Sequence, residues 1–579
     1  MNTTFKIAVL LIFTSSIHKA AENSRYLPHL TRSSGGFSTE ISVANKGDEK
    51  VQVELVGYDH DGTPVDTAQI LIEGNQVIAK DARQWFSQDV SHVEIGGSPE
   101  AVVQVAYRAT AGLSSPANVR ETDEVSKRFR IFPGDWSLVF DGLAYVNSGN
   151  QPARVVLVQY DYNHQLIAEI ELQSIFPAKA KGLYVIGGPQ GSVFSSEIPT
   201  YFELISTEPL AITSLRGTPP GSTIGLLWEN LAETFEFKLL EPVHISDVQF
   251  WAYQIQDVNL NQSVDQLIQS KYDLIVVEPT RTDWSNPTDP QGPYARDFNT
   301  ADMVSRLKAS PSHDGIHRKR VVAYIDIGQA EDWRWYWNWD DRSPDDDVAI
   351  DLCNQPSFPP SNWPDFILLC DPDWWLHNYP VKYWDAEWQN IVIEGEGLSS
   401  QPHGDYVSIL DEVLIDGFDG IYLDWVEAFE HEPIRLSAEQ DGLNALSAMV
   451  QFIERMATYT RERHPNFTII QQNGASLILN PEIAGLIDAI AQEAIWFDGR
   501  ATDTWDDPNG QDFRNDQGLV DYYLHYLGQY RELGIPILNC EYALDHAEEA
   551  YQLAIKEGYI PYVTRRSLGR LSTTPPPGL

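Results

Sequence analysis

Residues Gly417-Phe-Asp-Gly-Ile-Tyr-Leu-Asp-Trp-Val-Glu427 join a turn, a short apolar run and a terminal acid. Gly420 to Leu423 reads as a buried parallel strand, because its apolar residues are consecutive rather than alternate. The run ends on Asp424, with an aromatic residue and a second acid just beyond. A carboxylate at the C-terminal end of a buried strand must be desolvated, paired or used. In a (β/α)8 barrel that end carries the chemistry.

From residue ~245 onward, apolar runs alternate with amphipathic helical patterns, the sign of a parallel α/β architecture. Eight strands are predicted: Val248–Tyr253, Leu274–Glu278, Val321–Asp326, Gly420–Asp424, Thr468–Gln472, Ala489–Glu493, Pro536–Cys540 and Tyr559–Val563. Helical patterns cover Val264–Ser270, Ala301–Ala309, Asn444–Arg463, Leu519–Leu533 and Ala547–Glu557. This predicts a (β/α)8 TIM barrel over 245–570. A Trp-, Asp- and Pro-rich insertion at 340–380 follows the third strand, where long loops commonly build binding surface.

Residues 25 to 240 read instead as short alternating strands broken by Gly, Asn, Asp and Pro. Asn45, Gly47, Tyr58 and Asp59 recur as Asn147, Gly149, Tyr160 and Asp161, a constant spacing of 102 residues. That is the size of one immunoglobulin-like sandwich, so two all-β repeats are predicted, 25–125 and 126–240. The chain is therefore read as multidomain.

Residues 1–21 carry Lys6, an apolar run from Ile7 to Phe13 and small residues after it. This predicts a cleaved secretory signal, since the run is far too short to span a bilayer, and places the mature protein outside the cytoplasm. Three cysteines exclude a disulfide framework. Cys353 and Cys370 could pair or stand as unpaired structural cysteines, and Cys540 reads as part of a buried strand. No Cys/His cluster has zinc spacing, so neither a metal nor a cofactor is expected. With 40 basic against 83 acidic residues the net charge is −43, which disfavours nucleic acid and anionic membranes as partners. The charge serves solubility, or draws in a cationic polymer if the acids line a groove.

The strand ends collect acids and aromatics: Trp251 and Tyr253, Glu278, Tyr324 and Asp326 with Glu331 beyond, Asp424 and Trp425, Asn473, Glu493, Glu541 and Tyr542, Tyr562 and Arg565. No Ser-His-Asp order and no phosphate-cradling glycine loop competes with them. Paired carboxylates beside aromatic platforms suit glycoside hydrolysis, where one acid protonates the leaving oxygen and the other attacks or activates water. A barrel acid taken alone could equally be a structural ion pair. Asp424 and Glu493 stand out because each ends an otherwise apolar run.

The segments Trp-Ala-Tyr-Gln (from Trp251), Ala-Tyr-Ile-Asp-Ile-Gly-Gln-Ala-Glu-Asp-Trp-Arg (from Ala323), Gly-Phe-Asp-Gly-Ile-Tyr-Leu-Asp (from Gly417), Gln-Asn-Gly (from Gln472) and Gln-Glu (from Gln492) resemble glycoside hydrolase family 114. The resemblance implies an endo-α-1,4-polygalactosaminidase-like enzyme acting with retention on an amino-sugar polysaccharide. It makes Asp424 the nucleophile and Glu493 the acid/base. Burial beside Trp496 and Phe497 would keep Glu493 protonated, and donors such as Asn473, Tyr562 or Arg565 would keep Asp424 ionised. The same resemblance adds Trp384 and Glu387 from a Trp-x-x-Glu-Trp element, and Asn473 from the fifth strand, as substrate-binding residues. Fungal members carry acid-Pro-Asp-Asn-Val-Asp where this chain has Tyr422-Leu-Asp-Trp-Val-Glu427, a difference beside the nucleophile. The rival expectation is a non-catalytic glycan-binding or matrix protein with a degenerate barrel, or a hydrolase of another α-glycan. Oligomeric state is not legible.

Overall fold

The structure is a computed structural model that describes residues 24–579 apart from 32–36, 111–112, 115–116, 196–199, 219–223, 282–296, 340–345, 374, 399–406 and 501–510. The expected signal segment lies outside the described residues. The chain divides into two compact units, Met1–Lys238 and Leu239–Leu579. No helix of the described residues is long and apolar enough to cross a membrane.

The first unit is largely β-strand. In its first repeat, Arg25–Leu27, His92–Gly97, Val51–Tyr58 and Pro64–Ile72 form one antiparallel sheet, and Val77–Asp81, Phe37–Asn45, Ala101–Ala109 and Ala117–Arg120 another. Val53, Leu55 and Ile95 from one sheet meet Ile41, Val43 and Val105 from the other in a single apolar core. The second repeat repeats these pairings with one change. A continuous strand, Thr200–Gly217, pairs first with Ala153–Asp161 and then with Phe140–Asn147, joining what are separate sheets in the first repeat.

The spacing of 102 residues has a physical basis. Asn45 Nδ2 donates to the carbonyls of Glu49, Ile72 and Glu73, and its Oδ1 accepts from Gly47 N–H. Asn147 Nδ2 donates to Gln151, Phe176 and Pro177, and its Oδ1 accepts from Gly149 N–H. Asp59 and Asp161 likewise each accept two loop amides, from Asp61 and Thr63 and from Asn163 and Gln165. Each repeated Asn is a buried knot tying one turn to a neighbouring strand.

The second unit is a near-closed barrel of eight parallel strands in chain order: β1 (Trp251–Gln254), β2 (Leu274–Val277), β3 (Arg320–Asp326), β4 (Gly420–Asp424), β5 (Thr468–Gln472), β6 (Ala489–Glu493), β7 (Ile537–Glu541) and β8 (Ile560–Val563). The first strand starts three residues later than expected, because Asp273 Oδ2 accepts the amides of Gln249 and Phe250 in place of a strand partner. Between β8 and β1, Trp251 Nε1 donates to the Ile560 carbonyl at 2.8 Å. Inside, Trp251, Tyr253, Tyr422 and Tyr562 fill the barrel with ring centroids 5.0–6.3 Å apart.

The Trp-rich insertion chiefly extends the barrel's apolar core rather than forming a binding surface. Trp337, Trp363, Phe366, Tyr379 and Trp388 are buried. Trp363 meets Trp337 edge-on at 4.8 Å and Tyr379 at 4.9 Å. Cys353 and Cys370 are disulfide-bonded within it, and Cys540 is free and buried.

Asn147→Ala strands three carbonyls and one amide in a buried turn, and should cost about 2–4 kcal/mol. The loss will show in the denaturant transition of the all-β unit, with the exposed Asn163→Ala as a near-neutral control. Equal midpoints for the two variants would show that the knot carries no stability.

Candidate active site

A cleft of about 1100 Å³ opens at the C-terminal ends of the barrel strands, with Asp424 from β4 and Glu493 from β6 in its wall. Asp424 Oδ2 accepts from the Tyr324 hydroxyl, and Oδ1 from the Trp425 N–H at 2.7 Å. Glu493 Oε1 accepts from the Tyr542 hydroxyl. Asn473 links the cluster: Nδ2 donates to Glu493 Oε2 at 3.1 Å and Glu427 Oε1 at 3.3 Å. Its Oδ1 accepts Glu493 N–H at 3.1 Å and Gln492 Nε2 at 2.9 Å.

The backbone turns sharply at each of these positions. Trp425, Asn473 and Ala494, the residues immediately after β4, β5 and β6, have φ of 58°, 56° and 46°. Left-handed conformations in non-glycine residues cost about 1–3 kcal/mol each and persist only where surroundings impose them. Gly328 belongs to the same construction, since a Cβ there would lie 2.5 Å from the Trp425 carbonyl oxygen.

Crowding governs the electrostatics. Burial, and then the charge of Glu493, push the Asp424 carboxyl from 3.8 up to about 7, although the Tyr324 and Trp425 donors oppose this. Burial and the Asp424 charge hold Glu427 well above the usual carboxylate range. The same two causes raise Asp326. Asp424 is therefore not held ionised by Asn473, Tyr562 and Arg565 as expected. Asn473 serves Glu493, the Tyr562 hydroxyl accepts from Ser572 N–H, and Arg565 pairs with Asp512 and Asp545.

Of the substrate-binding candidates, Tyr253, Glu278, Tyr324, Glu331, Trp425 and Asn473 line the cleft. Glu278 and Glu331 arrive already paired, because Arg334 donates to Glu331 Oε2 at 2.6 Å and to Glu278 Oε2 at 3.1 Å. Trp251 and Tyr562 lie in the barrel core, fully buried. Asp326 is buried behind the wall, its Oδ1 accepting the amides of Gly328 and Gln329. Glu541 is buried against backbone amides. Trp384 Nε1 donates to Asp441, and Glu387 sits in the first turn of a short helix, so neither borders the cleft.

Several wall residues were not among the substrate-binding candidates. Glu427 and Glu430 follow Asp424 at three-residue steps, a spacing that puts acids on one side of the 3-10 turn Val426–Glu430. Tyr542 follows Glu541 and supplies the hydroxyl for Glu493. Arg566, rather than Arg565, enters the wall, its guanidinium 4.4 Å over the Tyr542 ring. Tyr522 and Tyr523, from the helix Gln517–Glu532, and Trp333 and Trp375, from the segments after β3, add aromatic surface. Nine acidic and two basic side chains line the cleft, so its formal charge is negative. Among the described residues, no group of three or more His, Cys, Asp or Glu is arranged to hold a metal ion.

The model of glycoside-hydrolase family GH114 matches residues 251–576. An uncharacterized protein of Deinococcus radiodurans is 26% identical over 340 residues, 57% of this chain and 85% of that protein. One from Methanocaldococcus jannaschii is 27% identical over 342 residues, 56% of this chain and 78% of that protein. Among solved structures, the glycoside hydrolase domain of PelA from Pseudomonas aeruginosa aligns at TM-score 0.35 and 18% identity, covering 56% of this chain and 97% of that one. Ega3 of Aspergillus fumigatus in complex with galactosamine aligns at TM-score 0.35 and 13% identity, covering 58% and 98%. The family model spans more than half of the chain and all eight barrel strands, and the chain belongs to glycoside-hydrolase family GH114.

Proposed function

We propose that this glycosidase is an exported, endo-acting, retaining enzyme that cleaves an α-linked amino-sugar polysaccharide of the polygalactosaminan type. One observation carries the reading. Two carboxylates from alternate barrel strands share one acidic cleft, each gripped by a tyrosine hydroxyl. Glu493 gives its proton to the glycosidic oxygen as Asp424 attacks the anomeric carbon. Glu493 then takes a proton from the water that hydrolyses the glycosyl ester.

The negative cleft favours an ammonium-bearing sugar, and a bound cation would pull the Asp424 pKa down and generate the nucleophile where substrate sits. Aromatic surface from the β3 side and the β6 side, flanking the carboxylates, supports binding of sugars on both sides of the cut. The Cys353–Cys370 disulfide supports an oxidising compartment and hence export. Residues 25–125 and 126–240 are proposed as tandem immunoglobulin-like sandwiches, supported by their matching strand pairings.

Asp424→Asn and Glu493→Gln should each lower release of reducing ends by roughly 10²–10⁴-fold with the fold intact. Wild-type turnover by both would favour a glycan-binding protein with a degenerate barrel. Incubation with galactosaminan, its N-acetylated form and other α-glycans, with mass-spectrometric sizing, identifies the substrate. Mixed oligomers appearing early mean endo action, and small products alone mean exo action.

The pH dependence of stability tests the site without substrate. The folded-state pKa of Asp424, about 7, lies above the unfolded value of ~3.9. The associated stability is therefore present below about pH 4 and lost as pH rises through 7. Asp424→Asn cannot ionise, so relative to wild type it should gain roughly 2–4 kcal/mol between pH 4 and pH 8 in denaturant melts. Parallel pH curves would show that Asp424 is not held in this state.

A further inference from the structure

Glu541 ends β7, is fully buried and takes no part in the cleft wall. Its carboxylate accepts the backbone amides of three consecutive residues. Ile495 N–H donates to Oε1 at 3.0 Å, Phe497 N–H to Oε2 at 2.7 Å, and Trp496 N–H to both oxygens at 3.3 Å. Asn539 Nδ2 adds a fourth donor to Oε1 at 2.8 Å. Successive amides converging on one acceptor form a concave nest, here filled by a carboxyl of the protein itself, whose burial raises its pKa to about 7 although these donors oppose the shift.

The position of the nest gives it a role. Its amides begin two residues after Glu493. The residue between, Ala494, has φ of 46°, and its N–H donates to the Cys540 carbonyl at 2.8 Å. A non-glycine residue holds that conformation only if its surroundings impose it. Were the chain after β6 to relax toward extended backbone, the Glu493 side chain would leave the strand in another direction. It would then lose its bonds to Tyr542 and Asn473.

We propose that Glu541 is a positioning residue for Glu493: its carboxylate draws Ile495–Phe497 against β7, imposes the turn at Ala494, and thereby fixes the direction in which the acid/base side chain enters the cleft. The proposal rests on the glycosidase reading for its kinetic consequence and on the backbone geometry alone for its structural one. Glutamine at 541 keeps the volume but offers one acceptor oxygen and turns an NH2 toward amide donors, so at least one amide loses its partner.

The test is Glu541→Gln in the full chain. The expected result is a cooperative melt, kcat lowered about 10²-fold with KM within about twofold, and faster hydrogen exchange in the peptide spanning 494–498, since a small misplacement of a reacting group is enough for such a loss. In the Glu541→Gln background, Ala494→Gly should recover about tenfold in kcat, because glycine adopts the left-handed conformation without imposition. A merely structural loss of folded protein would give no such recovery per folded molecule. If kcat of folded Glu541→Gln stays within twofold of wild type, or KM rises while kcat holds, the proposal is overturned. If wild type turns over no glycan, the glycosidase reading falls, and exchange in 494–498 still decides the clamp: equal rates in both proteins overturn it. Should Glu541→Gln not fold, Asn539→Ala loosens the same carboxylate. Loss of kcat alone then supports the clamp, and unchanged kcat overturns it.

Discussion

Carboxylates gathered at the end of a buried parallel sheet repel one another in a setting where water screens them poorly. Much of the cleft is an answer to that repulsion. Arg334 neutralises Glu278 and Glu331 together. Glu541 is satisfied by four N–H donors and, among the described residues, no cation. Asp326 takes two backbone amides, and burial with its neighbours' charge favours its neutral form. Asp424, Glu427 and Glu493 have only hydroxyl, amide and backbone donors and keep the unresolved charge among themselves. Charge compensation is least complete at these three carboxylates.

The aromatic residues divide by the same logic. Among the rings that close or fill the barrel, the Trp251 indole donates to the Ile560 carbonyl and the Tyr562 hydroxyl accepts from Ser572 N–H, while the buried Tyr422 hydroxyl meets no partner among the described residues. In the insertion, Trp363 packs edge-on against Trp337 and Tyr379. The tyrosines that meet Asp424 and Glu493, Tyr324 and Tyr542, are themselves buried, so each delivers a donor without bringing water. Only a few rings, Trp375 among them at 44% exposure, remain to face a ligand. A high tryptophan content therefore says more about packing here than about sugar stacking.

The all-β unit shows repetition of a different kind. What recurs every 102 residues is a buried side-chain knot, Asn45 and Asn147, with the Asp59 and Asp161 loops beside it. Those residues are the ones a turn cannot replace, because each satisfies several backbone groups at once. The merging of two strands into Thr200–Gly217 left no mark on that pattern, since it changes connectivity and not the turn chemistry.

Period and strand-end position were enough to read the barrel and its eight strands and to single out Asp424 and Glu493 as acids that end apolar runs, because such runs and the acids that end them are local properties. The division at ~240 and the repeat register were legible for the same reason. What an acid or ring does was not, because that depends on partners distant in the chain. Arg334 takes Glu278 from 56 residues away, and Tyr542 reaches Glu493 from 49. Trp251 belongs to the core and Arg566 to the wall, although a strand-end rule would treat Arg565 and Arg566 alike. The sequence by itself determined where charge is placed. Only the tertiary structure decided which charges are neutralised and which are left uncompensated, because Coulomb energy and desolvation act across space and not along the chain.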